Sequence, residues 1–129
     1  MQTTSNFQVY NASAGSGKTF TLVKEYLKVV LQSDDRFVFQ KILAITFTNK
    51  AASEMKERVL DNLQCFSEGK KNDLFLKLQK ETTLDTITIQ KRSSLILEAI
   101  LQNYSAFAIT TIDSFTHKII KSFAFDLGL

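Results

Sequence analysis

The residues best suited to chemistry lie near the amino terminus, in the stretch NASAGSGKT from Asn11 to Thr19. Gly15 and Gly17 let consecutive backbone N–H groups turn inward around an anion without obstruction by side chains. Lys18 can then reach the β- and γ-phosphates of a nucleotide, and the hydroxyl of Thr19 can bind Mg²⁺. The stretch therefore predicts a loop that binds the phosphates of a nucleoside triphosphate.

The loop departs from the strict pattern G-x-x-x-x-G-K-[ST] at its first position, where this chain has Ala12. We interpret the alanine as a tolerated variant. Lys18 and Thr19 are the predicted catalytic residues, and Thr19 is the predicted metal ligand. The predicted contacts to ATP and Mg²⁺ are Ala12, Ser13, Ala14, Gly15, Ser16, Gly17, Lys18, Thr19 and Phe20.

A phosphate-binding loop needs a strand before it and a helix after it. Phe7, Val9 and Tyr10 indicate a short buried strand. The apolar residues after the loop recur at helical spacing: Leu22, Val23, Tyr26, Leu27, Val30 and Leu31. This context favours the loop over the alternative, a turn rich in glycine and serine with an ordinary surface lysine.

Composition excludes several classes of function. The chain has 129 residues, 44% hydrophobic and 22% charged, which is typical of one globular domain with a sizeable core. No apolar run approaches the length of a membrane span, and MQTTSNF does not resemble a signal peptide, so we expect a cytoplasmic protein without a membrane partner. With Cys65 and His117 the only residues of their types, an internal disulfide, a zinc site and Cys/His catalysis are excluded.

The remaining pattern predicts an α/β domain with a parallel sheet. A second buried strand is expected over 41–48, followed by a helix whose apolar face comprises Ala52, Met55, Val59, Leu63 and Phe66. A helical excursion follows over about 66–105, in which the threonine-rich segment 81–88 is expected to be partly extended. A third strand over 106–112 and a helix with Phe115, Ile119 and Phe123 on one face complete the plan.

Three stretches taken together resemble the first conserved blocks of superfamily 1 helicases of the UvrD/Rep type. They are ASAGSGKT at 12–19, AITFTNKAASEMKERV at 44–59 and TTIDSFTHKII at 110–120. TFTNKAA followed by E-M-x-x-R is the most specific of them. The run YNASAGSGKTFTL and the helical excursion are similar, more narrowly, to RecB-like helicase-nucleases related to the exodeoxyribonuclease V beta chain.

The resemblance implies a P-loop NTPase fold, a RecA-like three-layer sandwich with a parallel sheet and a helical insertion. It implies that residues 1–129 form a single, incomplete ATP-binding lobe, because a Walker B Asp-Glu pair and a second lobe are not identifiable. It also implies contacts to single-stranded DNA by Thr46, Phe47, Thr48, Asn49, Thr111 and Ser114, with Lys50 near the phosphates.

The function implied is that of the ATP-binding N-terminal part of an ATP-dependent 3′–5′ DNA helicase or helicase-nuclease in repair and recombination. Its implied partners are single-stranded DNA and either the remainder of the helicase chain or the partner subunits of a complex. Alone, such a part is expected to lack ATPase turnover. It is also expected to self-associate through uncovered strand edges and apolar helix faces.

Other interpretations of these residues stay open at this stage. Thr48 or Asn49 can cap the following helix, and Phe47 can belong to the core. Asp113 stands where the third block usually has histidine, and it can act as a Walker B carboxylate or as the N-cap of the last helix. For the whole chain, the alternatives are a small P-loop kinase or ATPase and a non-catalytic interaction domain with a relic P-loop.

Overall fold

The computed structural model describes residues 6–7 and 16–126, with side-chain surroundings from Thr19 to Ser122. Two short 3₁₀ helices, at Val38–Lys41 and Tyr104–Ala106, precede the second and third strands. The strands are β1 (Asn6–Phe7), β2 (Ile42–Thr46) and β3 (Ala108–Thr111). The helices are α1 (Ser16–Gln32), α2 (Asn49–Ser67), α3 (Asp73–Thr82), α4 (Thr86–Gln102) and α5 (Ile112–Asp126).

The three strands form one parallel sheet in the order β1-β2-β3. Phe7 pairs with Leu43, and Thr46 at the end of β2 pairs with Thr111 at the end of β3. The predicted parallel α/β plan is thereby confirmed for the described residues. Because parallel strands end at the same edge, the segments that follow β2 and β3 begin side by side.

The core lies where α1, α2, α3 and α4 pack together beside the sheet. The apolar faces predicted for α1 and α2 are buried in it, as their helical spacing requires. Phe66 of α2 meets Phe75 of α3 edge-on, with ring centroids 5.3 Å apart. Tyr26 of α1 meets Phe107 in the same way at 5.8 Å. These aromatic contacts join the first helix to the residue before the third strand and the second helix to the excursion.

The excursion is more helical than the sequence indicated. The segment 81–88, which was expected to be partly extended, is mostly helical: only Thr83–Asp85 lies outside the helices, and Asp85 has an extended backbone. Thr83 has a left-handed backbone, with φ of 59°, and ends α3. The carboxylate of Asp85 then accepts a 2.7 Å hydrogen bond from the Thr88 N–H and begins α4. Since α2 continues to Ser67, the excursion starts after that residue.

The two helices of the excursion, α3 and α4, pack into the same hydrophobic core as α1 and α2. Leu78, Ile89, Ile96 and Ile100 are buried with residues of α1 and α2 in one cluster. A hydrogen bond of 2.8 Å from the Arg92 guanidinium to the Leu31 carbonyl also joins α4 to the end of α1. The two helices are therefore part of the packing that fixes α1 and α2, and their removal would expose that core.

The last helix is mostly exposed. Ile112, Ile119 and Ile120 are 41%, 51% and 62% exposed, although Phe115 is half-buried. The described part of α5 therefore presents apolar side chains to solvent. Within the described ranges, no helix is long and apolar enough to cross a membrane.

Two buried hydroxyl groups, those of Tyr26 and Ser93, have no hydrogen-bond partner among the residues that the structure describes. Burial also raises the pKa of Tyr26. Leaving such a group without a partner costs about 1–3 kcal/mol.

We therefore expect Ser93→Ala and Tyr26→Phe to leave the free energy of unfolding unchanged or to raise it by about 1 kcal/mol, measured by urea denaturation. Tyr104→Phe, at an exposed ring, is the control. A loss of about 1 kcal/mol or more in either buried variant would show a hidden partner.

Glu81 of α3 links this helix to α1 through two lysines. Its carboxylate lies 2.8 Å from Lys24 Nζ and 3.3 Å from Lys28 Nζ. The hydrogen bonds from Lys24 and then Lys28 lower the pKa of Glu81, and the hydrogen bond to Glu81 raises the pKa of Lys24. The stabilisation is therefore present above the usual Glu pKa and below the usual Lys pKa. It is lost as pH falls through the lowered Glu81 pKa.

We expect Glu81→Gln to lower the urea midpoint of unfolding at neutral pH, with the difference from wild type shrinking toward zero as pH falls through the lowered Glu81 pKa. The ion pairs are exposed, so the effect should also weaken in high salt. The control is Glu57→Gln, since Glu57 forms no ion pair within the described part of the chain. A difference for Glu81→Gln that stays constant from neutral to acid pH would refute the ionic explanation.

Candidate nucleotide and nucleic-acid site

The start of α1 is the part of the predicted phosphate loop that the structure describes. Residues 11–15 lie outside the described residues, and so do the side chains of residues 16–18. Because α1 begins at Ser16, Gly17, Lys18 and Thr19 occupy its first turn. The first N–H groups of a helix have no intrahelical acceptor, and this first turn contains no acidic residue. The helix end is therefore suited to an anion.

Thr19 and Phe20 are the predicted nucleotide contacts whose side chains are described. Thr19 is 4% exposed, so its hydroxyl is held in the interior at the first turn. Phe20 is half-buried, and Lys77 Nζ lies 5.4 Å from the centroid of its ring. Phe20 also lines a shallow cavity of about 260 Å³ together with Arg58 and Leu74. A helix start with a hydroxyl and no carboxylate fits a magnesium-bound triphosphate.

The segment after β2 turns directly into α2. Thr48 is the N-cap, and its hydroxyl accepts a 3.0 Å hydrogen bond from the Ala51 N–H. This confirms the capping alternative for Thr48, whereas Asn49 is the first residue of the helix. Phe47 is 49% exposed, so the alternative that it belongs to the core is wrong. Asn49 and Lys50 are exposed beside it.

The segment after β3 has the same construction. Thr111 Oγ1 accepts a 3.1 Å hydrogen bond from the Ser114 N–H and lies 3.0 Å from Ser114 Oγ. Thr111 therefore caps α5, and the prediction that Asp113 is the N-cap is wrong because Asp113 is the second residue of the helix. Asp113 is exposed, and the described residues contain no cluster of three His, Cys, Asp or Glu side chains that could hold a metal ion.

The two segments meet at one edge of the sheet. Thr46 and Thr111 are partners in the strand register, and Thr46 Oγ1 lies 3.3 Å from the carbonyl oxygen of Thr110 and 3.2 Å from that of Thr48. The N-termini of α2 and α5 consequently begin beside each other. Since helix N-termini and their exposed polar residues bind phosphates, this edge can hold the backbone of a nucleic-acid strand.

Burial divides the predicted DNA contacts into two groups. Phe47, Thr48, Asn49 and Ser114 are exposed at this edge. Thr46 and Thr111 are only 2% and 5% exposed, and both hydroxyls are engaged within the protein. Direct contact with DNA stays a prediction for the exposed residues, while the geometry favours an internal role for the buried pair.

Sequence reasoning missed the carbonyl of Thr110 as part of the site. The signal was present in the third stretch, where two threonines end an otherwise apolar strand. Alternation along a strand puts neighbouring residues on opposite faces, so one of the two threonines had to face inward. In the structure Thr111 is the buried one, and Thr110 is half-buried with its carbonyl directed at Thr46.

The chain belongs to the UvrD/REP helicase N-terminal domain family, whose model matches residues 1–129. This confirms the resemblance to UvrD/Rep-type helicases and, with it, a P-loop NTPase fold. No solved structure gave a significant match.

Curated relatives are similar over most of this chain. An ATP-dependent helicase/nuclease subunit of Exiguobacterium sibiricum is 36% identical over 94 residues, which cover 73% of this chain and 8% of the relative. The RecB subunit of the RecBCD enzyme of Buchnera aphidicola is 30% identical over an alignment of 132 residues, covering 92% of this chain and 11% of the relative. The chain thus spans about a tenth of the length of these relatives.

The contribution of the Thr48 cap to stability can be tested by substitution. We expect Thr48→Ala to lower the free energy of unfolding by about 1 kcal/mol, because the Ala51 N–H loses its acceptor. Thr48→Ser keeps the hydroxyl and should stay close to wild type. Chemical denaturation of the three proteins measures the difference. Equal stability of the alanine and serine variants would mean that the cap contributes nothing.

Proposed function

We propose that this chain is the ATP-binding N-terminal part of an ATP-dependent DNA helicase or helicase-nuclease that acts on single-stranded DNA in repair and recombination. In this proposal residues 1–129 form one partial RecA-like lobe of a three-layer sandwich, with α3 and α4 as a helical insertion. The observation that carries the proposal is the adjacency of the two capped helix starts, at Thr48 and Thr111, on the edge where β2 and β3 end.

The nucleotide would be held by the loop and the first turn of α1. Residues 12–17 would supply backbone N–H groups, Lys18 would contact the phosphates, and the Thr19 hydroxyl would bind Mg²⁺. ATP supplies the free energy of its hydrolysis when bound, and Mg²⁺ neutralises charge on its phosphates. Phe20 follows the loop and would pack against the nucleotide site from α1.

The DNA strand would lie across the starts of α2 and α5. The exposed Phe47 ring offers a face for a base or sugar, and Asn49 and Ser114 offer polar groups for the backbone. Lys50 adds a positive charge beside Asn49. These contacts do not read base edges, so the proposal implies binding to single strands without strong sequence preference.

The remaining partners would be the rest of the helicase chain or the other components of a helicase-nuclease complex. The names of the relatives support this, since one belongs to a helicase/nuclease and another to the RecBCD enzyme. A small kinase is less well supported, because Asp113 lies exposed on α5 and belongs to no group of three potential metal ligands in the described ranges. A domain with a relic loop would bind neither ATP nor DNA.

A titration of backbone amide shifts tests the proposal. Adding Mg-ATP should shift amides of residues 12–20, and Lys18→Ala should abolish that response because the lysine is the predicted phosphate contact. Adding oligo-dT should then shift amides of residues 46–50 and 110–114. We expect Phe47→Ala to weaken oligo-dT binding about tenfold, since stacking on one base contributes about 1–3 kcal/mol.

Each variant serves as the control for the other ligand. Lys18→Ala should still bind oligo-dT, and Phe47→Ala should still respond to Mg-ATP. Phe37→Ala, at another exposed ring outside the two sites, should affect neither ligand. A folded wild-type protein that responds to neither ligand would favour the relic interaction domain, and a response to Mg-ATP alone would favour a kinase or another ATPase.

A further inference from the structure

The hydroxyl of Thr46 is placed to join the two segments of the candidate DNA site. Thr46 is the last residue of β2 and is 2% exposed, so neither DNA nor water has ready access to it. Its Oγ1 lies within hydrogen-bonding distance of two carbonyl oxygens, at 3.2 Å from Thr48 and 3.3 Å from Thr110. A hydroxyl has one hydrogen, which it shares or alternates between these two acceptors.

Both acceptors stand next to functional positions. The Thr48 carbonyl also accepts from the Ala52 N–H at 3.0 Å and so begins the hydrogen bonding of α2. Holding it fixes the backbone that follows the exposed Phe47. Thr110 precedes Thr111, which caps α5 through the Ser114 N–H. One buried hydroxyl therefore contacts the backbone at or immediately before each helix cap.

We propose that Thr46 is a positioning residue that holds the Phe47–Asn49 segment and the Thr110–Ser114 segment at a fixed separation, so that both contact the same DNA strand. This inference rests on the proposed function for the DNA contact, whereas the contact between the segments stands on the hydrogen bonds alone. Valine has nearly the shape of threonine but lacks the hydroxyl hydrogen, so Thr46→Val removes the connection with little change in volume. Thr46→Ser keeps it.

Thr82→Val is a matched control. Thr82 is also buried, at 7% exposure, and its hydroxyl also donates to a carbonyl, that of Leu78 at 2.6 Å. It lies at the end of α3, outside the two segments. Loss of stability alone would affect both valine variants, whereas loss of positioning would affect only Thr46→Val.

The experiment measures oligo-dT affinity by fluorescence anisotropy and amide hydrogen exchange by NMR on the same four proteins. We expect Thr46→Val to bind oligo-dT about five- to tenfold more weakly, the effect of losing one hydrogen bond, while Thr46→Ser and Thr82→Val stay within about twofold of wild type. Amide exchange should accelerate at both 47–52 and 110–114 in Thr46→Val alone, and Mg-ATP shifts at residues 16–20 should be unchanged.

Two results would overturn the inference. One is unchanged exchange at 110–114 in Thr46→Val, which would mean that the hydroxyl does not hold the second segment. The other is an equal loss of DNA affinity in Thr82→Val, which would assign the effect to stability. If wild type fails to bind oligo-dT, the proposed function fails for this chain, and the exchange at 110–114 still decides whether Thr46 connects the segments.

Discussion

The parallel pairing of β2 with β3 is the constraint on which the candidate site depends. Because the register aligns Thr46 with Thr111, both strands end at the same level, and the helices that follow must start side by side. A shift of one residue would turn the side chain of every strand residue to the opposite face. It would also end the pairing of Thr46 with Thr111 and move the two helix starts out of alignment. The burial of Ala44, Ile45 and Ile109 therefore fixes the geometry of the polar edge as well as the core.

The helical excursion does not lie at this edge, but it stabilises the helices that begin there. α3 and α4 bury their apolar faces against α1 and α2, and the Lys24–Glu81 pair and the Arg92 hydrogen bond add polar connections to α1. The surface ion pair contributes little alone, so the shared core supplies most of the stabilisation. Since α1 begins with the proposed nucleotide contacts and α2 with the proposed DNA contacts, the shared core also fixes the orientation of one proposed site relative to the other.

Much of this arrangement could be predicted from the sequence, for identifiable reasons. The helices α1 and α2 bury one face each, so helical spacing of residues such as Leu27 and Val59 predicted both. The threonine-rich segment is more helical than expected because threonine favours strands by propensity, whereas capping by Asp85 and burial of Ile89 favour a helix. The Asp113 cap was wrong because Thr111, which precedes it in the chain, already provides the capping interaction.

The sequence predicted which residues belong to the candidate site, but it did not predict which of them are buried and which are exposed. Thr46, Phe47 and Thr48 belong to one sequence motif. Their side chains nevertheless point in different directions, because successive side chains of a strand alternate between its two faces. The result is a buried donor, an exposed ring and a cap in succession. A buried threonine is stable there only because carbonyls accept its hydrogen. The same hydrogen bonds that permit its burial also connect the two exposed segments, so the stability of the edge and the DNA binding proposed for it would have one physical origin.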